Sequence, residues 1–295
     1  MQDLFVFIVN ARIGEKRIAE LTQAIQYTFG TNGYKIFQTE YSGHAKDLAI
    51  QFVNEGVQNI VAVGGDGTVN EVIQVLAKKD ITLGIIPTGS GNGLARHCKI
   101  PLKMNEAVAL LKTGKPALID LGKINDVYFI SNAGVGSDAV VCNTIKQTKS
   151  RGLKMYIRKV IQHYFPYKVD TYTIHIDGKE FKQKAFFMNV ANGKEFGYGF
   201  EIAPNATLQD GLLDMIIVKS INPINGFKFV IDGWRKKLTT NKNCIYQRGK
   251  KIRIEGEQLI YFQADGDAHD CNTICEIEVH ENALQIIVPS SLNSL

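Results

Sequence analysis

The chain has 295 residues, 45% hydrophobic and 21% charged, which supports packed cores in two domains and excludes a disordered chain. A net charge of +5 and a pI near 8.8 fit an anionic partner such as a nucleotide or an acidic membrane face, without requiring one. No window holds 18 consecutive apolar residues, the start Met1-Gln2-Asp3 has no signal-peptide pattern, and five scattered cysteines favour a reducing compartment, so a cytoplasmic protein is expected.

Leu4 to Val9 is a short continuous apolar run, as in a strand buried on both faces. Ile18, Leu21, Ile25 and Phe29 then recur at helical spacing. Tyr34 to Thr39 reads as a strand, and Ala45, Leu48, Ala49, Phe52 and Val53 as a second helix. Ile60 to Val63, Val69 to Leu76 and Leu83 to Ile86 continue as strand, helix, strand. This alternation predicts a parallel sheet with helices on both faces.

The rhythm changes near Asp120. Strands are expected at Val127–Ser131, Thr171–Ile176, Lys179–Ala185, Phe186–Ala191, Leu213–Val218, Lys251–Ile254, Leu259–Gln263, Cys275–His280 and Leu284–Val288. Asp177-Gly178 supplies the positive φ angles of a type I′ hairpin turn between two of them. A β-sandwich or barrel follows. Lys146 to Phe165, basic and aromatic, and Gly226 to Leu238, with Trp234, Arg235, Lys236 and Lys237 near its end, read as helices. The 154–165 stretch suits either an anionic membrane surface or an ordinary packed amphipathic helix. The expected division is a 1–122 α/β domain and a 123–295 β-sandwich domain, with the last residues free to return to the first domain.

Two glycine-rich runs carry the chemistry. Gly64-Gly65-Asp66-Gly67-Thr68-Val69-Asn70-Glu71 follows a strand and opens a helix. Its glycines permit a sharp turn and close approach of a ligand, and the helix N-terminus offers N–H groups to phosphates. A carboxylate in such a loop is suited to a phosphate-bound Mg²⁺, which assigns Asp66 to catalysis. Pro87 to Arg96 (PTGSGNGLAR) also follows a strand. Neighbouring parallel strands share one crevice at their carboxyl ends, so the two loops should face each other. Thr88, Gly89, Ser90 and Asn92 would then present backbone, hydroxyl and amide groups to a nucleotide. No G-x-x-x-x-G-K-[ST] motif occurs, so the loops are not a P-loop.

With these loops, Thr39 followed by Gly43-His44-Ala45, the run Pro204 to Asp214 (PNATLQDGLLD) and Asp265-Gly266-Asp267, nearly the whole chain resembles the diacylglycerol kinase catalytic-domain family, which includes sphingosine, ceramide and bacterial lipid kinases. The resemblance implies an N-terminal α/β domain of NAD-kinase and phosphofructokinase type that binds ATP, a C-terminal β-sandwich, and an active site between them. It implies that Asn10, Thr39, Gly64 to Asn70 and Thr88 line the nucleotide site. Asn10 is followed by Ala11 where the family has Pro. Asp210 would bind a structural Mg²⁺ with the main-chain carbonyls of Thr207 and Leu212, and Asp214 would lie beside it. The family's Asp-Gly-Glu, whose Glu takes the proton from the lipid hydroxyl, is Asp265-Gly266-Asp267 here, so Asp267 inherits the role with one methylene fewer.

The expected activity is ATP-dependent phosphorylation of a diacylglycerol or long-chain base, with ATP and Mg²⁺ as cofactors. The expected partner is a lipid at the inner face of a membrane, met by peripheral contact; no nucleic acid is expected, and a homodimer stays open. A soluble-substrate kinase of NAD-kinase type and a non-catalytic nucleotide-binding protein are the alternatives. Cys271, Cys275 and His269 do not have the spacing of a standard zinc site. His44, His97, His163 and His280 form no constellation.

Overall fold

The computed structural model describes residues 4–146, 169–197, 200–219, 223–257 and 259–292. Apart from Lys146, the helix expected over Lys146–Phe165, with its 154–165 membrane stretch and His163, lies outside the described residues. The chain divides into two compact units, Met1–Asp120 with Glu281–Leu295, and Leu121–His280.

In the first unit, β1 (Phe5–Val9), β2 (Tyr34–Gln38), β3 (Asn59–Gly64) and β4 (Thr82–Pro87) form a parallel sheet in the order β2-β1-β3-β4. Helices α1 (Glu15–Phe29), α2 (His44–Asn54) and α3 (Asp66–Leu76) connect them, and α4 (Gly93–His97) and α5 (Met104–Thr113) follow. α1 packs with α5, and α2 with α3. Both faces of the sheet are therefore covered, and Val6, Phe7, Ile8 and Val9 are all fully buried whichever way they point. This is the parallel α/β arrangement expected from the sequence.

The second unit contains, in chain order, the end of β5 (Lys115–Ile124 overall), β6 (Val127–Phe129), β7 (Asn132–Gly136), α6 (Ser137–Lys146), β8 (Asp170–Ile176) and β9 (Lys179–Ala185). β10 (Phe187–Ala191), β11 (Glu195–Gly197), β12 (Phe200–Glu201), β13 (Leu213–Val218) and α7 (Pro223–Trp234) come next. β14 (Cys244–Gly249), β15 (Lys251–Glu255), β16 (Tyr261–Ala264), β17 (Asp267–Asp270) and the first half of β18 (Ile274–Val288) complete it. One antiparallel sheet runs β18-β15-β8-β9 and the other β14-β13-β10-β7-β16-β17. Tyr172, Ile174, Ile252 and Ile277 of the first bury one cluster with Met188, Met215 and Phe262 of the second, which makes a sandwich. On the outer face of the six-stranded sheet, Ile216 and Val218 pack with Phe229 of α7 and with Leu238. Covered on both faces, β13 is buried at all six positions.

The strands expected at Cys275–His280 and Leu284–Val288 are one strand of 15 residues. The apolar pattern breaks at Glu281-Asn282, both exposed, where Asn282 has φ 51 and donates its N–H to Asp120 Oδ1 at 2.8 Å. The second half of β18 joins the first unit's sheet parallel to β4, pairing Gln285 with Thr82 and Ile286 with Leu83. Among the described residues no helix is long and apolar enough to cross a membrane.

Candidate functional site

In the first unit the residues implicated from sequence gather at the carboxyl ends of four parallel strands. Asn10 follows β1, Thr39 follows β2, Gly65 follows β3 and Thr88 follows β4. The Asn10 amide donates to Thr68 Oγ1 at 2.8 Å, and Thr39 Oγ1 accepts the Ala11 N–H at 3.3 Å. The Thr39 N–H in turn reaches the Val9 carbonyl at 2.8 Å. Ala11 in place of Pro thus keeps an N–H that proline lacks, and that N–H is used.

The two glycine-rich loops meet backbone to backbone. The Thr88 N–H donates to the Gly64 carbonyl at 2.8 Å. A Cβ on Gly89 would lie 2.6 Å from Gly65 Cα, so no side chain fits there. Asp66 fastens the pair: Oδ2 accepts the Asn92 N–H at 2.8 Å and Oδ1 the Gly93 N–H at 2.7 Å. Asn92, in the left-handed region at φ 55, folds its amide back onto Gly89, accepting its N–H at 3.0 Å and donating to its carbonyl at 2.8 Å. A small cavity lies among Gly64, Gly65, Asp66, Pro87, Asn92 and Leu94. The crevice expected between these loops is therefore present within this unit.

Individual assignments shift in detail. The carboxylate of Asp66, read as an Mg²⁺ ligand, already accepts two main-chain N–H groups, although each oxygen keeps a further lone pair. Val69 is buried in α3, and its N–H donates to the Gly65 carbonyl at 3.1 Å, so it supports the loop from beneath. Asn70 Oδ1 accepts from Gln74 along the same helix, Gly67 has open space where a side chain would be, and Ser90 is exposed. Thr88 Oγ1 is buried with no hydrogen-bond partner among the described residues, the condition of a hydroxyl awaiting a polar ligand. Two contributors carried no role in the sequence reading. Glu71 accepts the N–H groups of Gly43 and Ala45 at 3.1 and 3.2 Å and so caps α2. Arg17 reaches the Thr88 carbonyl at 3.4 Å.

In the second unit the PNATLQDGLLD run forms the turn into β13. Asp210 Oδ1 accepts the Leu212 N–H at 3.1 Å, and its other oxygen pairs with Arg248. Asp214 lies opposite Arg248 in the β13–β14 register and is fully buried. Its carboxylate accepts from Tyr246 OH and from Arg248 Nε. Burial pushes the Asp214 carboxyl up to about 6; Arg248 opposes this and Asp210 adds to it. Two carboxylates sharing one guanidinium hold more negative charge than that cation offsets. The resemblance adds the main-chain carbonyls of Thr207 and Leu212, from the same run, as further oxygen donors of the kind Mg²⁺ takes. Among the described residues no three His, Cys, Asp or Glu side chains converge on one point, so main-chain oxygens and water would have to complete the shell.

Asp265-Gly266 is a two-residue turn with φ 48 and 87, joining β16 to β17. The Asp265 carboxylate accepts the N–H groups of Ile130, Ser131 and Asn132 at 2.9, 2.8 and 3.1 Å. Beneath the turn, buried Gln263 accepts the Gly266 N–H at 2.8 Å and donates to Asn132 Oδ1 and Asp138 Oδ2 at 2.8 and 3.0 Å. Asp267 follows at the start of β17, exposed, with no side-chain hydrogen bond to any described residue. The turn is thus fixed by Asp265 and Gln263, while the Asp267 carboxylate stays exposed.

Comparison with known proteins gives consistent matches. Residues 4–124 match the diacylglycerol kinase catalytic domain, and residues 131–288 match the YegS C-terminal NAD kinase beta sandwich-like domain. A Yersinia enterocolitica protein named "Probable lipid kinase YegS-like" is 29% identical over 258 residues, covering 84% of this chain and 86% of that protein. A protein named diacylglycerol kinase from Bacillus subtilis is 28% identical over 263 residues, covering 86% of this chain and 85% of that one. The crystal structure of a diacylglycerol kinase from Bacillus anthracis aligns with a TM-score of 0.76 at 27% identity, over 97% of each chain. An NAD kinase from Archaeoglobus fulgidus, solved with ATP, shares the fold at a TM-score of 0.57 and 15% identity, over 97% of this chain and 94% of that one.

Proposed function

Because the chain belongs to the diacylglycerol kinase catalytic-domain family of lipid kinases, we propose that it transfers the γ-phosphoryl group of ATP to the hydroxyl of a diacylglycerol or long-chain-base lipid. The observation that carries this reading is the pair of glycine loops fastened by Asp66 beside the unpartnered Thr88 hydroxyl. Loops whose backbones touch, at the carboxyl ends of parallel strands, suit a polyphosphate.

In this reading Asn10, Thr39, Thr68 and Thr88 orient the nucleotide, and Asp66 keeps the two loops in register while facing the phosphates. Asp267 accepts the proton of the lipid hydroxyl as that oxygen attacks phosphorus. Mg²⁺, when bound, supplies positive charge to the phosphates and, in the second unit, to the Asp210–Asp214 pair. There Asp210 and the carbonyls of Thr207 and Leu212 would hold it.

The lipid would be met at a membrane surface. Trp234, the single tryptophan, is exposed at the end of α7 and is followed by exposed Arg235, Lys236 and Lys237, a combination suited to an anionic interface. Labelled ATP supplied with a panel of lipids in mixed micelles tests the activity. Label should appear in diacylglycerol or a long-chain base; label in a soluble acceptor alone, or in none, would overturn the assignment.

A further inference from the structure

Cys271 and Cys275 flank the connection between β17 and β18, and their sulfurs lie 3.3 Å apart. Three main-chain hydrogen bonds clamp that connection. The Cys271 N–H donates to the Ile260 carbonyl at 2.9 Å, the Thr273 N–H to the Leu259 carbonyl at 3.1 Å, and the Gly256 N–H to the Thr273 carbonyl at 3.0 Å. The thiols are thus held together by the fold. Cys275 is fully buried in the sandwich core, while Cys271 is partly exposed at its edge. The nearby His269 ring is stacked on Phe262, with centroids 5.0 Å apart, and no third metal-binding side chain joins the sulfurs among the described residues. A sulfur pair without further ligands lacks the set that zinc takes.

We propose that Cys271 and Cys275 are an oxidisable thiol pair, which hydrogen peroxide converts to an intramolecular disulfide in the folded protein. A disulfide has sulfurs about 2.05 Å apart, so a closure of about 1.2 Å by side-chain rotation is needed. The roles follow from exposure. Cys271 is the thiol a solute can reach, and a hydrogen bond from the Cys275 thiol holds its pKa below the ordinary cysteine value. The same contact, with burial, pushes Cys275 up and leaves it the resolving thiol. Burial pushes Cys98 and Cys244 up to about 12 and also raises Cys142, so none of these competes.

In the first step the Cys271 thiolate attacks one peroxide oxygen. The O–O bond breaks, Cys271 becomes a sulfenic acid, and the departing hydroxide takes up a proton to leave as water. Next the Cys275 sulfur attacks Cys271 Sγ. The S–S bond forms, the S–O bond breaks, and the second hydroxide leaves as water with the Cys275 proton. Two thiols lose two electrons in all, and one peroxide is reduced to two waters.

The test treats the folded full chain with hydrogen peroxide, then maps its thiols by alkylation and peptide mass. Two of the five thiols should disappear with the loss of two hydrogen atoms from the chain. The modified peptides should be those of Cys271 and Cys275, reacting at least about tenfold faster than the other three cysteines. Cys275→Ser should stop at a sulfenic acid on Cys271 that dimedone traps, and Cys271→Ser should leave Cys275 reduced. The proposal falls if the folded chain keeps all five thiols under conditions that oxidise the unfolded chain. It also falls if Cys98, Cys142 or Cys244 reacts first, or if the product is a cross-linked dimer. Should either variant fail to fold, the wild-type peptide map decides alone.

Discussion

Asp66 in the first unit and Asp265 in the second do the same local work. Each is an aspartate beside a glycine, and each spends its carboxylate on main-chain N–H groups of another segment. Asp66 takes two, from Asn92 and Gly93; Asp265 takes three, from Ile130, Ser131 and Asn132. The surroundings separate them. Asp66 is exposed, next to Gly67 with open space around it, so the fastener is itself part of the surface a phosphate would meet. Asp265 is partly buried, and what it fastens is a turn that offers a different carboxylate, Asp267, to solvent. On the proposed function, one unit would merge anchor and active group in a single side chain, and the other would divide them between residues two positions apart.

Substitutions test that division. Asp66→Ala should show the largest effect, reducing lipid phosphorylation to background while unfolding free energy falls by only about 1 kcal/mol, because one lost hydrogen bond is exposed and the other only part-buried. Normal turnover by a folded Asp66→Ala protein would mean that the anchor is not active. Asp267→Asn comes next: kcat should fall at least about a hundredfold, with ATP affinity and melting unchanged. Asp267→Glu should keep or raise activity, because it restores the methylene that the resemblance leads one to expect. An Asn variant as fast as the wild type would remove Asp267 from the base role.

Asp265→Ala should invert the Asp66 result. Three amides in a partly buried turn lose a charged acceptor, so denaturant unfolding should report a loss of about 2 kcal/mol. A loss below about 0.5 kcal/mol would remove the distinction between anchor and active group. A smaller effect is expected from Mg²⁺, which should raise the Tm of the wild type by a few degrees and not that of Asp210→Ala, since a cation that binds only the folded state stabilises it. Equal shifts in the two proteins would count against Asp210 as a ligand. The smallest expected signal is a blue shift of Trp234 emission with anionic vesicles; no shift with vesicles that sediment the protein would move the membrane contact elsewhere.

The first unit was readable from sequence because β1, β3 and β4 are mostly apolar runs and its loop residues are contiguous. The roles that escaped reading depend on partners from distant chain segments. Glu71 stands inside the GGDGTVNE run, yet its partners, Gly43 and Ala45, come from the preceding strand-to-helix connection. Asp265 reaches backbone 133 to 135 positions earlier, which no local pattern can signal. β7 (NAGVG) carries no strand-like run; at its Gly134 a Cβ would lie 2.4 Å from Asp138 Oδ2 and 2.9 Å from Gln263 Nε2, so no side chain fits there. Arg248 was invisible for a related reason: β14 (CIYQRG) lies at the sheet edge, partly exposed, and lacks the alternation that would have placed Arg248 opposite Asp214.

The route of β18 bears on how the protein is made. Its second half, which flanks β4, is translated only after all of the second unit. A ribosome that has completed β4 has therefore made a parallel sheet lacking its last neighbour. Until Leu284 to Val288 emerge, β4 presents an open edge, the kind of surface on which nascent chains aggregate or recruit chaperones. The glycine loops at the ends of β3 and β4 are thus built early, on a sheet that is completed only after roughly 200 further residues have been added, between Pro87 and Leu284.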